Sequence, residues 1–236
     1  MAMILSLSGI RKQFGGMVVL DGIDMEMEAG RIYQMIGPNG SGKTTLINVI
    51  SGLLKPDAGS VTFDGTDITQ KGLFETFKTG LVRTWQIPQP FRNLTTEENF
   101  LVSSDKNRGE GFLAAPTRSR WRHDEERVAD KASEIMEMVS LTGQGAVWSR
   151  NLSGGQQKLL ELGRAMMADT KMILMDEPIA GVNPTLAYEI FERIKRICRE
   201  QKITFLIIEH RLDISLQYAE RVFVLNRGKI IAEDDP

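Results

Sequence analysis

The sequence predicts an α/β core that carries an antiparallel β extension and an inserted helical subdomain. Three observations predict it. Short apolar runs at residues 32–36, 172–175 and 203–208 are strand-length and near-continuous, as in a buried sheet, and helical patterns stand between them. Ile23, Met25 and Met27 alternate with Asp24, Glu26 and Glu28, the period of a half-exposed antiparallel strand. The middle third of the chain carries helical periodicity and irregular stretches but no strand signal.

The composition bounds the rest. A chain of 236 residues is long enough for a proper core. We expect a single domain in which residues 1–87 and 166–236 form the α/β core with its β subdomain, and about 88–165 the helical subdomain. A formal net charge of −2 gives no reason to expect nucleic acid as a partner. The single cysteine, Cys198, excludes an intrachain disulfide and fits a reducing compartment. The N-terminus lacks the basic-then-apolar layout of a secretory signal, and no apolar run approaches the roughly 20 residues of a membrane helix.

In chain order, residues 3–7, 18–20 and 23–27 read as short strands. Phe14 lies before Gly15-Gly16; its pattern alone favours a core aromatic, and the alternative is an exposed ring that stacks on a flat ligand. After the strand at 32–36 comes Gly37-Pro38-Asn39-Gly40-Ser41-Gly42-Lys43-Thr44, which matches the phosphate-loop pattern G-x-x-x-x-G-K-[ST] between a strand and a helix at 43–53. Such a turn aims backbone N–H groups at one point at the positive end of the helix dipole, where phosphate oxygens belong. Lys43 can then reach the β- and γ-phosphates of a nucleotide, and the Thr44 hydroxyl can ligate Mg²⁺, with Thr45 beside it on the first helical turn.

Residues 60–63 and the Asp64-Gly65 turn read as a hairpin. A strand at 80–85 ends at Gln86, a polar group able to touch Mg²⁺ or water, and Pro88 and Pro90 stop regular structure. Thr95 and Glu98 form a capping box that opens a helix. Residues 103–120 read as a long mobile loop, followed by an amphipathic helix from Trp121 with Val128, Ala132, Ile135, Met136 and Val139 on one face, and then by an irregular stretch at 142–150. Leu152-Ser153-Gly154-Gly155-Gln156 opens a further helix running to Ala168, a second N-terminal anion cradle. The apolar run at 172–175 delivers Asp176 and Glu177 to the C-terminal edge of the sheet, where α/β sheets bind ligands. Neighbouring strand side chains diverge, so Asp176 can hold Mg²⁺ while Glu177 orients or deprotonates a water. Asn183-Pro184 opens another helix. The strand at 203–208 ends in Glu209-His210 at the same edge, which favours a catalytic reading of His210. Strands at 221–225 and 229–232 close the sheet around Arg227-Gly228.

Taken together and in this order, the phosphate loop, Gln86, Leu152-Ser153-Gly154-Gly155-Gln156, Asp176-Glu177 and His210 resemble the nucleotide-binding subunit of an ABC transporter, over essentially the whole chain. The resemblance implies a P-loop NTPase with a RecA-like core that binds and hydrolyses ATP with Mg²⁺. It implies that Phe14 stacks on adenine, against the core reading from pattern alone. It makes Gln86 the Q-loop residue, Glu177 the general base and His210 the switch residue near the γ-phosphate. It implies that Ser153, Gly154 and Gly155 cover the ATP of a second ATPase subunit, identical or related. Two integral membrane permease subunits would dock near residues 86–99, and a solute-binding protein would act through them. The subunit would then lie on the cytoplasmic face of the membrane, held through its partners. Arg83-Thr84-Trp85-Gln86, Ala180-Gly181-Val182-Asn183-Pro184 and Ile208-Glu209-His210-Arg211-Leu212-Asp213 are similar to the LivG-type subunit of branched-chain amino-acid importers. Three departures accompany this. Asn183 stands where most ABC ATPases have the D-loop aspartate, Trp85 where this subfamily has phenylalanine, and the chain stops at Pro236 where relatives often continue into another helix, as a short or truncated chain would. A soluble ABC ATPase, and a subunit for another solute such as urea, remain the alternatives. The single P-loop and the absence of sustained heptads weigh against the first.

Overall fold

A computed structural model describes residues 2–104 and 118–236, with the backbone alone described at 118–122. The chain divides into two compact units, one built from Met1–Gln86 and Lys171–Pro236, the other from Ile87–Thr170.

The first unit holds two sheets. The antiparallel sheet has the order β2-β1-β4-β5, from β1 (Met3–Phe14), β2 (Met17–Glu28), β4 (Ala58–Phe63) and β5 (Thr66–Asp67). Here the expected short strands merge. Residues 18–20 and 23–27 are one strand, and β1 runs on to Phe14. The reason is a bulge: Ile10 pairs with Ile23 and Arg11 with Asp21, so Gly22 is passed over, at a φ of 76° that a residue with a Cβ adopts only under strain. Pairing therefore continues where the hydrophobic alternation stops. Asp64 and Gly65 at the β4–β5 turn both have positive φ, as a two-residue hairpin of matching twist requires.

The central sheet has the order β10-β9-β3-β8-β7-β6, from β3 (Ile32–Ile36), β6 (Leu81–Arg83), β7 (Met172–Asp176), β8 (Thr204–Ile208), β9 (Arg221–Asn226) and β10 (Lys229–Asp234). All neighbours pair in parallel except β9 with β10. Every residue of β8 is buried, as expected of a strand inside a sheet covered on both faces. Helix α1 (Lys43–Ile50) contributes Leu46, Ile47, Val49 and Ile50 to one core shared with the antiparallel sheet and with β3, β7, β8 and β9. It stops short of the expected Leu53, which is exposed. Gly52, at φ 77°, turns the chain away, and a Cβ there would meet Lys71 O at 2.6 Å. The first unit also holds α2 (Leu73–Lys78), α6 (Pro184–Gln201) and α7 (Leu212–Ser215). The sequence reading missed α2 and α7, which are too short to show a periodicity. Helix α6 is capped by Asn183, whose Oδ1 accepts the Leu186 N–H at 3.0 Å.

The second unit contains α3 (Thr96–Leu101), α4 (Arg118–Met138) and α5 (Gly154–Met166). The Thr95–Glu98 capping box forms in both directions, at 3.2 and 2.7 Å. Helix α4 begins at Arg118, ahead of the expected Trp121, so residues 118–120 are helical and not loop; residues 105–117 of the expected loop lie outside the described residues. Phe100, Ile135 and Leu160 pack in the core of this unit. Gly163 of α5 makes that packing possible, because a Cβ there would lie 2.4 Å from Phe100 Cε1.

Candidate active site

The phosphate loop is shaped by its glycines. Gly37, Gly40 and Gly42 have φ of 155°, 78° and 109°. A Cβ on Gly37 would lie 2.1 Å from Leu225 O, and one on Gly42 would lie 2.9 Å from Val19 O. The loop thus threads between β9 and the start of β2, and only glycine passes. Ser41 and Gly42 are buried, while Pro38, Asn39, Gly40 and Thr44 face outward and Thr45 is half-buried. The Ser41 carbonyl accepts the Gly228 N–H at 3.0 Å, which ties the loop to the β9–β10 turn. Lys43 is 7% exposed, and its ammonium donates to Gly37 O at 2.8 Å and Pro38 O at 3.1 Å. Burial holds its pKa below the usual lysine value, with Asp176 and Glu177 acting in the opposite direction. The lysine therefore curls back over its own loop, and a bound phosphate can replace the two carbonyls as its acceptor.

The parallel strands bring the acids to the same edge. Asp176 ends β7 next to Ile208 of β8. Burial raises its pKa; Arg83 is the largest opposing influence, followed by a hydrogen bond from Thr44. Arg83, 4.0 Å from Asp176, also bonds Asn48 of α1 and lies 4.7 Å from the Trp85 ring. Sequence reading assigned Arg83 no role at the site, since nothing local distinguishes a strand arginine from a surface one. Glu177 has left the strand, at φ 52°, with its N–H bonded to Ile208 O at 2.9 Å. Its two carboxylate oxygens are met by different partners: Nε2 of His210 stands 3.2 Å from Oε1, and the Gln86 amide donates to Oε2. Gln86, Glu177 and His210, far apart in sequence, thus form one cluster, and Lys43, Thr44 and Asp176 form a second beside it.

The donor set fits Mg²⁺, a hard cation that takes oxygen ligands and keeps several waters. The Thr44 hydroxyl lies close enough to the Asp176 carboxylate to lower its pKa. Among the described residues no group of three or more His, Cys, Asp or Glu side chains converges on a metal position. Gln86, expected as a further ligand, has its amide nitrogen engaged by Glu177 here.

Phe14 closes β1 opposite Met17 and is 45% exposed, so the core reading of this residue fails. The Lys12 ammonium lies 5.7 Å from the ring centroid and is held by Asp57 at 2.7 Å. In the second unit, Ser153 caps α5 through a two-way box with Gln156; Ser153 and Gly154 are exposed, while Leu152 and Gly155 are buried. Glu209, which the sequence placed at the sheet edge without a role, is 3% exposed and caps three backbone N–H groups.

A phosphate loop with two acids beside it, all at one edge of a parallel sheet, is the arrangement of a nucleoside-triphosphate-binding protein. The sequence matches the family model described as ABC transporter over residues 20–180. It is 44% identical over 230 residues to the probable branched-chain amino acid transport ATP-binding protein LivG of Archaeoglobus fulgidus, covering 98% of this chain and 88% of that one. It is 47% identical over 230 residues to the LivG protein of Methanocaldococcus jannaschii, covering 98% and 89%. Among solved structures, a nucleotide-free ATP-binding cassette from an ABC transporter superposes with a TM-score of 0.84 at 45% identity, covering 99% of this chain and 92% of that one. The ADP conformation of such a cassette gives 0.87 at 45% identity, covering 100% and 92%. The chain belongs to the ABC transporter family, as an ATP-binding ATPase subunit of LivG type.

Proposed function

We propose that this ATPase subunit drives an importer of branched-chain or other hydrophobic amino acids. The observation that carries the catalytic part is the pairing of Glu177 with His210 and Gln86 beside Lys43, Thr44 and Asp176. ATP binds with its phosphates on the loop at residues 37–45 and its adenine on Phe14. Thr44 and Asp176 would hold Mg²⁺, with Gln86 as a further protein contact, and the ion would supply charge neutralisation for the phosphates. Lys43 supplies a positive charge to the β- and γ-phosphates. Glu177 accepts a proton from the attacking water, and His210 keeps that carboxylate oriented. The solute assignment is supported by the names of the LivG relatives and by the match across nearly the full length of this chain.

The same reading includes assembly. A second ATPase subunit, this chain or a related one, presents its Leu152, Ser153, Gly154, Gly155 and Gln156 to the ATP held here. Two membrane permease subunits dock on the segment between Gln86 and Asn99 and keep the protein at the cytoplasmic face of the membrane, with a solute-binding protein on the far side. Among the described residues no helix is long and apolar enough to cross a membrane.

Glu177→Gln tests catalysis and assembly together. Glutamine keeps the shape but accepts no proton, so ATP binding survives and turnover falls by a factor of about 100 or more. Loss of one negative charge beside the triphosphate favours the closed assembly. The variant should elute as an ATP-dependent dimer in size exclusion. A variant that binds ATP, hydrolyses it at the wild-type rate and stays monomeric refutes both assignments.

A further inference from the structure

We propose that Glu209 is a positioning residue that locks the turn carrying Glu177 to the strand end carrying His210. This rests on the reading of Glu177 as general base and His210 as its partner. Glu209 follows β8 and is buried at 3% exposure. Its Oε1 accepts the N–H of Ile179 at 3.0 Å; its Oε2 accepts those of His210 at 2.8 Å and Arg211 at 3.2 Å. A buried carboxylate is costly to desolvate, and charge-assisted bonds to backbone N–H groups offset that cost. What distinguishes this carboxylate is the span of those bonds. One oxygen serves the segment after Glu177, and the other serves the segment that begins with His210.

The segment after Glu177 needs such a hold. Glu177 sits in the left-handed region at φ 52°, a conformation that persists only where the surroundings enforce it. Its own N–H is tied to Ile208 O, and the turn closes through Ala180 N to Glu177 O and Val182 N to Ile179 O, each at 3.2 Å. Ile179 is thus the hinge of the turn, and Glu209 Oε1 is bonded to its N–H. The Arg211 guanidinium adds a second link, to Val182 O at 3.4 Å. With both segments pinned to one side chain, the 3.2 Å approach of His210 to Glu177 is set by Glu209. A serine or threonine cap could serve one segment; the longer carboxylate reaches both.

The test is Glu209→Gln in the full chain, with Glu209→Asp alongside. Glutamine must turn an NH₂ group towards backbone N–H groups on one side, so one of the two segments is released. We expect kcat to fall by about tenfold or more, as misplaced catalytic groups do, while KM for ATP stays within about twofold. The sequence has only two histidines, so the His210 imidazole resonance can be followed alone by NMR, with His123 as the internal control. The His210 signal should shift in both variants and the His123 signal should not. Glu209→Asp keeps the charge but shortens the reach, and should lose less turnover. Wild-type kcat with an unmoved His210 signal overturns the proposal. So does a parallel loss of ATP affinity and turnover with His210 unmoved in Glu209→Asp, which is what a merely structural cap gives. Glu177→Gln and His210→Ala, assayed beside them, separate the two levels: if these retain wild-type turnover, the reading of the site itself fails.

Discussion

Phe14→Ala separates base recognition from phosphate recognition. The ring stands at the end of β1, 45% exposed, with Lys12 on hand at 5.7 Å. A buried phenylalanine truncated to alanine costs about 3–5 kcal/mol of stability through transfer and cavity terms. Here nearly half the ring is already in water and truncation opens no closed cavity, so the loss in the nucleotide-free protein should stay near the low end of ordinary substitutions, about 1 kcal/mol. Binding behaves differently. Stacking contributes on the order of 1 kcal/mol, which is a roughly five- to tenfold change in Kd. Titration calorimetry with ATP and with inorganic triphosphate resolves the two. The triphosphate engages the loop at residues 37–45 but has no base, so its affinity should be unchanged while that for ATP weakens. Equal weakening of both ligands, or an unchanged Kd for ATP with a large drop in melting temperature, would refute the assignment of Phe14 to the adenine.

Lys43→Ala removes the only lysine of the phosphate loop, which now sits over two loop carbonyls; ATP binding and turnover should both be lost in a folded protein, as read by nucleotide binding and phosphate release. Gly163→Ala should destabilise the protein despite a helix-propensity gain of about 1 kcal/mol, because its Cβ would lie 2.4 Å from Phe100 Cε1 and overpacking costs about 1–3 kcal/mol; a higher denaturation midpoint would contradict the packing account. Arg92→Glu reverses an exposed charge on the segment between Gln86 and the α3 cap, and should reduce solute uptake in cells while the isolated ATPase stays near wild type; undiminished uptake would count against this segment as the docking surface.

The local chemistry of this protein was legible before any coordinates. The strand–glycine turn–helix of residues 32–50, the Thr95 and Asn183 caps, the Asp64-Gly65 hairpin and the apolar strand ending in Asp176 are written in neighbouring residues, because turn angles, caps and periodicity act over a few positions. The tertiary structure decided what depends on distant segments. It carried β1 and β2 through a bulge that broke their alternation, stopped α1 at Gly52 against the Lys71 carbonyl, and turned Phe14 outward where pattern alone placed it inside. Strand order is set by which parallel neighbours best bury one another, and no residue encodes that alone. Only that order brings Gln86 to Glu177 across 91 residues, and only the fold shows Arg83 beside Asp176 and Glu209 bridging Ile179 to His210. A buried charge and a surface charge look the same in a sequence; their partners, which lie far along the chain, make the difference.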